Sequence, residues 1–224
     1  MADVLTKNGY KTGSFSIGGS TFALVGEPEQ NPGINYISER GVRRFNENPS
    51  LKPGMNVTMA ELNYPTKSTS GKFGKTWSSI FENAVNQNEV LNNALEGLPA
   101  LETAFPNSRL GRQLQQVAVA IKGKDALGQD RQFFFVEDAG WDTHRNQREL
   151  LNVKYPDMNR CIDAFKNEMI KQGQWNNIVF VMASDFGRTM NANSGLGTDH
   201  AWGGNFCNYH LEEIVITVSM LSYL

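Results

Sequence analysis

The sequence predicts an α/β protein whose sheet contains parallel strands. Two short, nearly continuous apolar runs, at residues 132–137 and 178–183, are typical of buried strands. The stretch between them is amphipathic, with apolar residues at helical spacing. A strand, a helix and a strand within about fifty residues form a βαβ unit, so the two strands should run parallel with a right-handed crossover.

The composition is that of a globular chain with a core of its own. Of the 224 residues, 40% are hydrophobic and 20% are charged. The chain has 21 Lys and Arg residues and 23 Asp and Glu residues, for a net charge of −2. This balance argues against a nucleic-acid partner. No apolar run reaches the roughly 20 residues of a membrane span. The two cysteines, Cys161 and Cys207, are too few for a disulfide framework.

The region before the βαβ unit is predicted to contain one strand and three helices. A helix at the start of the chain precedes a strand over residues 11–17. Residues 18–56 are rich in Gly, Pro, Asn and Ser, which predicts an irregular surface segment with a strand-like stretch at 21–25. Apolar residues at helical spacing predict two further helices, at 75–98 and 108–122.

Within the βαβ unit, the amphipathic stretch contains a proline. Pro156 is predicted to divide it into a short turn and a helix that begins near Asp157. Gly173 should then end this helix before the second apolar strand.

Polar residues follow both strands of the βαβ unit, at the edge where open parallel sheets bind ligands. Asp142 and His144 stand two positions apart, so in an extended segment their side chains point the same way. His200 directly follows Asp199. Oxygen and nitrogen donors together suit Zn²⁺, Mn²⁺ or Fe. The candidate ligands are Asp142, His144, Asp185, Asp199 and His200.

Each of these signals also has a plainer interpretation. Asp142 is a favoured helix N-cap residue, which would leave His144 on the helix surface. Asp199 is equally typical of a turn in a Gly- and Asn-rich loop. Arg188 fits a clamp for phosphate or sulfate, and it fits a surface ion pair as well. The loop at 187–205 exceeds the roughly 12–15 residues of ordinary structureless connections, which favours a functional role.

Three motifs together resemble the family called domain of unknown function 1501. They are GWDTHRNQ at 140–147, SDFGRT at 184–189 and GTDHAWGG at 197–204. That family is similar in fold to the alkaline phosphatase and sulfatase superfamily, whose members hydrolyse phosphate or sulfate esters at one or two metal ions. The resemblance implies a three-layer α/β domain with a mainly parallel sheet and helices on both faces.

The resemblance also implies roles for individual residues. The five candidate ligands would hold a divalent ion, Zn²⁺ or Mn²⁺, and Arg188 would contact the oxyanion of a small phosphate or sulfate ester during catalysis. The superfamily commonly has an Asp-His pair where Asp185 is followed by Phe186 here, so His200 would supply that imidazole. The alternative is a non-catalytic secreted protein that binds a metal or an anionic glycan, or an inactive fragment.

The two ends of the chain carry further expectations. The opening MADVLTKNGYKT resembles the sulfatase segment of a helix, Gly-Tyr-x-Thr and a strand. In sulfatase-like enzymes the nucleophile and the first metal-binding aspartate precede this segment, which places both upstream of Met1. We expect residues 1–205 to form an alkaline-phosphatase-like domain that is incomplete at both ends, and 206–224 to be an atypical tail from a gene-model error. The family resemblance favours a periplasmic or extracellular location.

Overall fold

Strands from both halves of the chain meet in one sheet. The computed structural model describes residues 2–26, 33–45, 54–62, 71–203, 207–209 and 214–220. The strands are β1 (Thr12–Ser16), β2 (Ile34–Tyr36), β3 (Arg131–Glu137), β4 (Ile178–Ser184), β5 (Gly187–Arg188), β6 (His200–Ala201), β7 (Cys207–Tyr209) and β8 (Ile214–Met220). The six-stranded sheet has the order β2-β1-β3-β8-β4-β7, and β5 pairs separately with β6. Neighbouring strands of the large sheet run parallel, except that β7 is antiparallel to β4.

The chain divides into two compact units. The sheet unit consists of Met1–Arg40 and Pro99–Leu224, and the helical unit consists of Gly41–Leu98. The helices are α1 (Ala2–Lys7), α2 (Met55–Leu62), α3 (Lys72–Leu95), α4 (Arg109–Lys122) and α5 (Gln147–Lys171). Helices α3 and α4 confirm the predictions for 75–98 and 108–122. None of the helices that the structure describes has the length and apolarity to cross a membrane.

The helical unit is organised around α3. The side-chain oxygen of Asn88 accepts a hydrogen bond from the backbone N–H of Phe45 at 3.0 Å, and its nitrogen donates to the carbonyl of Arg43 at 3.1 Å. The Phe45 ring meets the Phe81 ring edge to face, with 5.9 Å between centroids. These contacts fix residues 43–45 along the helix.

Strand β3 is buried on both of its faces. Phe133 and Phe135 point to one face, where Leu24 and the partly buried Leu5 of α1 pack against them. Phe134 points to the other face and stacks on Phe15, with ring centroids 5.2 Å apart. Two-sided burial explains why this strand is a continuous apolar run without alternation.

Helix α4 is tied to the end of β3 by a buried glutamine. The Gln113 side chain donates to the backbone carbonyl of Glu137 at 2.8 Å and accepts from its N–H at 2.9 Å. Gln113 is fully buried, and both of its polar groups are satisfied by these two bonds. The position where β3 ends is therefore fixed relative to α4.

The βαβ prediction is confirmed, with one added strand. Both β3 and β4 run parallel to β8, which lies between them. The predicted break at Pro156 is wrong, because α5 is continuous from Gln147 to Lys171. Proline deprives the carbonyl of Asn152 of its intrahelical partner, and Asn152 is exposed, so water can replace the lost bond.

The segment at 18–56 also differs in detail from its prediction. The strand-like stretch at 21–25 forms bends and turns, so that prediction is wrong. Strand β2 lies further along the segment and pairs with β1 in the register Phe15 to Asn35. Strand β2 has only three residues, which is too short for periodicity to reveal.

The predicted C-terminal tail, 206–224, contains two strands of the sheet. Strand β8 has the sequence IVITVSM, and its β-branched residues suit a strand between two parallel neighbours. Strand β7 forms the edge beside β4. His210 lies outside the described residues.

One buried carboxylate holds the chain segment before α4. Glu168 of α5 is fully buried, and its Oε2 accepts hydrogen bonds from the backbone N–H of Glu102 at 3.0 Å and of Thr103 at 2.8 Å. The Gln172 side chain donates to Oε1 at 2.9 Å. Burial raises the pKa of Glu168, but the bonds from Gln172, Thr103 and Glu102 outweigh it and lower the pKa below its ordinary value of 4.5.

Replacing Glu168 should therefore destabilise the sheet unit. We expect Glu168→Ala to lower the free energy of unfolding by about 1–3 kcal/mol at neutral pH, because two backbone N–H groups lose their hydrogen bonds to the buried carboxylate. Glu168→Gln keeps an acceptor oxygen and should cost less. Urea denaturation would measure both, with the exposed Glu149→Ala on the same helix as the control.

The same carboxylate predicts a pH dependence. Its pKa is lower in the folded chain than in the unfolded chain, so its stabilisation is present above pH 4.5 and is lost as the pH falls through the lowered value. The stability difference between wild type and Glu168→Gln should shrink over this acid range. A difference that stays constant with pH would contradict an ionised Glu168.

Candidate metal centre

Two chain segments beyond the carboxyl ends of β3 and β4 form the candidate centre. The first, 138–146, runs from the end of β3 to the start of α5. The second, 185–203, contains β5 and β6, which pair antiparallel with Arg188 opposite His200. The pairing folds the described part of the long predicted loop back on itself.

Backbone hydrogen bonds join the two segments. Thr198 donates its N–H to the carbonyl of Thr143 at 3.2 Å, and Asn146 donates to Gly195 at 3.1 Å. A Cβ atom on Gly197 would lie 2.1 Å from the carbonyl carbon of His144. Only glycine therefore allows the second segment to lie this close to the first.

The side chain of Asn193 adds four further bonds at this junction. Its nitrogen donates to the carbonyl of His144 at 3.1 Å and to Oδ1 of Asp199 at 2.9 Å. Its oxygen accepts from the N–H groups of Gly195 at 2.9 Å and Gly197 at 3.1 Å. Asn193 thus connects the backbone beside His144 with the loop that carries Asp199.

Asp142, His144 and His200 converge through this arrangement. Oδ1 of Asp142 lies 2.9 Å from Nε2 of His144 and 2.9 Å from Nε2 of His200. The two Nε2 atoms are 3.1 Å apart. We call these three residues the triad. Among the described residues, the triad is the one group of three or more possible metal ligands whose donor atoms all lie within 4.8 Å of one another.

The triangle of donor atoms fits a metal ion. With bonds of about 2.1 Å, two donors at right angles around an ion are about 3.0 Å apart, and two donors at the tetrahedral angle are about 3.4 Å apart. The observed separations of 2.9–3.1 Å match the first value and need only slight widening for the second. Two imidazoles and one carboxylate are also a donor set that Zn²⁺, Mn²⁺ and Fe accept.

Asp199 lies behind the triad, on the far side of the His144 ring. Its Oδ1 is 3.0 Å from Nδ1 of His144. A carboxylate only accepts, so this contact favours the proton on Nδ1, which would leave the lone pair of Nε2 for an ion bound at the triad. This is the carboxylate–histidine arrangement that orients metal-binding imidazoles in proteins.

An aromatic contact orients the second histidine. The ring of Phe186 stacks on that of His200 with 3.7 Å between centroids and 27° between planes. In the sequence, Phe186 is notable only as a departure from the Asp-His pair. In the structure it supports the imidazole that His200 supplies.

Arg188 is engaged with protein groups. Its Nη1 donates to Oδ1 of Asp142 at 2.8 Å, its Nε donates to Oγ1 of Thr198 at 2.6 Å, and its Nη2 donates to the Thr198 carbonyl. Three of the five guanidinium N–H groups are therefore directed at this junction. The arrangement is a partly buried ion pair that holds Asp142.

Both carboxylates of the centre have lowered pKa values. Burial raises the pKa of Asp142, but the hydrogen bonds from Arg188 and His200 and the charge of His144 outweigh it. The pKa of Asp199 is lowered first by the hydrogen bond from Asn193 and then by that from His144. Both groups are ionised at neutral pH, the form that coordinates a metal or accepts an imidazole proton.

The structure thus brings three of the five predicted ligands together. Asp142, His144 and His200 form the triad, and Asp199 contacts it through His144. Asp185 follows β4, is exposed and lies outside the triad. Asn193 was not among the predicted residues, although an asparagine two residues before a glycine is a recognisable turn signal.

Comparison with protein families identifies the class of protein that carries this centre. The model of the family described as "Protein of unknown function (DUF1501)" matches residues 92–208, more than half of the chain. The chain belongs to this family. The match covers β3, α5 and β4 together with all three triad residues. Comparisons with curated proteins and with solved structures gave no match.

Two aspartate substitutions should separate the roles that the structure gives these residues. Asp199→Asn removes the charged acceptor at Nδ1 of His144, and we expect metal affinity to fall about 10–100-fold. Asp185→Asn should leave metal affinity unchanged, because Asp185 lies outside the triad. Isothermal titration with Zn²⁺ would measure both.

The two variants carry the same chemical change, so each is the control for the other. Equal losses of affinity would show that Asp185 is a ligand, as the family resemblance implies. An unchanged affinity in Asp199→Asn would show that the His144–Asp199 contact does not orient the imidazole.

Proposed function

We propose that this chain is a metal-dependent, hydrolase-like domain that acts on phosphate or sulfate esters. The observation that carries the proposal is the triad, in which one ionised carboxylate and two imidazoles form a triangle of 2.9–3.1 Å. The proposed ion is Zn²⁺ or Mn²⁺, because both accept nitrogen and oxygen donors together.

Solvent can reach the proposed site. The His144 side chain is 44% exposed and that of His200 is 32% exposed, whereas Asp142 is 19% exposed. Water or an ester oxygen could therefore complete the coordination shell, as catalytic metal sites require. A structural zinc site would instead be closed by four protein ligands.

The chain's own residues would hold and orient the ion. A bound divalent ion polarises an ester oxygen and stabilises the negative charge that develops on it. Asp199 keeps the proton of His144 on Nδ1, and Arg188 keeps Oδ1 of Asp142 directed at the two Nε2 atoms. The three ligands are thus positioned before a metal binds, which reduces the cost of ordering them.

The substrate class rests on the similarity to alkaline phosphatases and sulfatases. An α/β fold with a mostly parallel sheet and polar residues beyond the strand ends supports this similarity. We further propose that the chain has the three-layer arrangement of that superfamily. The family resemblance favours a periplasmic or extracellular location.

One observation favours a second function, a non-catalytic protein that binds a metal or an anionic glycan. Arg188, the residue expected to contact a substrate oxyanion, already donates to Asp142 and Thr198. A site without an arginine aimed at the ester could bind a metal without accelerating hydrolysis.

Metal titration tests the proposal. We expect folded wild-type protein to bind about one Zn²⁺ or Mn²⁺ ion. Asp142→Asn and His144→Ala should weaken binding by more than the roughly 10–100-fold of an outer partner, because each removes a ligand. Asp163→Asn is the matched control, since Asp163 is an exposed carboxylate on α5. Folded wild-type protein that binds neither ion would contradict the proposal.

Turnover then separates the two functions. Hydrolysis of an aryl phosphate or an aryl sulfate by the metal-loaded protein, lost in His144→Ala in the same preparation, would establish the catalytic function. Stoichiometric metal binding without turnover on either ester would establish the non-catalytic alternative.

A further inference from the structure

A second cleft lies at the carboxyl ends of β1 and β2. It has a volume of about 360 Å³ and is lined by residues 16–19 after β1, residues 36–39 after β2, and Arg109. All of these residues belong to the sheet unit. The cleft shares no residue with the triad.

The sheet topology marks this edge as a binding position. From β1 the chain passes to β2 on one side, and it then returns to β3 on the other side. Where the strand order reverses in this way, the connections diverge and leave a crevice in which α/β proteins bind ligands. This crevice opens between β1 and β3, and the loop at 16–19 that lines the cleft crosses the end of β3 beside it.

Arg109 is the cation of the cleft. It is the first residue of α4, where the partial positive charge of the helix adds to its own. Its side chain is 43% exposed, and its Nη2 lies 3.4 Å from Oε2 of Glu137. Within the described residues this long contact is the only ion pair or hydrogen bond that the guanidinium makes, so further N–H groups can reach a ligand.

Glu137 lies directly behind this wall of the cleft. A Cβ atom on Gly18 would lie 2.8 Å from both Cβ and the backbone nitrogen of Glu137, so glycine is needed where the loop crosses the end of β3. The Glu137 side chain is 4% exposed. Its Oε1 is buried and has no hydrogen-bond partner.

The other polar residues that line the cleft suit a ligand with neutral hydroxyl groups. Glu39 is paired with Arg112 at 2.9 Å, so its charge is compensated while its carboxylate can still accept a hydrogen bond. Ser38 and Tyr36, which carry hydroxyl groups, also line the cleft. The cleft therefore combines one available guanidinium with several groups that bind hydroxyls.

We propose that this cleft binds a phosphorylated or sulfated sugar, with Arg109 contacting the tetrahedral anion and Glu39 and Ser38 contacting the sugar hydroxyls. Arginine presents paired N–H groups that match the oxygens of phosphate and sulfate. The proposal does not depend on metal at the triad, because the two sites have no residue in common.

The test uses metal-free protein, with glucose 6-phosphate, glucose 6-sulfate, inorganic phosphate and glucose as probes for calorimetric titration. Wild-type protein should bind glucose 6-phosphate or glucose 6-sulfate more tightly than inorganic phosphate, and it should bind glucose least. The two esters show which anion is preferred. Arg109→Ala should weaken binding of the preferred ester about tenfold or more.

Arg109→Lys and Arg160→Ala complete the comparison. Lysine keeps the charge and loses the paired N–H groups, so an intermediate loss is expected. Arg160→Ala removes an exposed arginine of α5 and should bind as wild type does. The proposal is overturned if folded Arg109→Ala binds the esters as tightly as wild type, or if glucose binds equally well.

His144→Ala separates this proposal from the proposed function. It should bind the ester in metal-free buffer as tightly as wild type, even if metal binding is lost. Ester binding that appears only after metal is added, and that disappears in His144→Ala, would place the anion at the triad. That result would overturn the proposal that the cleft binds the ester.

Discussion

The side-chain amide of Asn193 makes the connection on which the candidate centre depends. Its nitrogen donates both to the carbonyl of His144 and to the carboxylate of Asp199, which in turn accepts from the His144 ring. Its oxygen closes the turn through Gly195 and Gly197. One amide thereby fixes a histidine, its orienting carboxylate and the loop between the two strand ends.

The sheet explains why such a connection is needed. Strand β8 separates β3 from β4, so their carboxyl ends are two interstrand spacings apart, about 9.6 Å. A side chain directly after a strand, such as Asp185, is poorly placed to span this gap. Asp142 lies five residues beyond β3, and His200 returns on a hairpin, so both can reach the middle. Gly197 allows the final approach of the two backbones.

The sequence alone predicted what depends on local pattern. Continuous apolar runs identified β3 and β4, apolar periodicity identified α5, and the spacing of Asp142 and His144 indicated that their side chains converge. It did not predict that Asp199 would face the far nitrogen of His144, because that depends on which way the hairpin turns. Pro156 was misjudged because the cost of a proline depends on the exposure of the carbonyl four residues earlier. The cleft beside Arg109 depends on strand order, which periodicity does not contain.

The most direct test of the triad is the ¹⁵N NMR spectrum of histidine-labelled protein during zinc titration. The chain has three histidines, so the imidazole signals can be assigned by substitution. Zinc should shift the Nε2 signals of His144 and His200 together, at about one equivalent, while Nδ1 of His144 stays protonated against Asp199. Coordination through Nδ1 of His144, or a spectrum in which zinc shifts neither histidine, would contradict the arrangement described above.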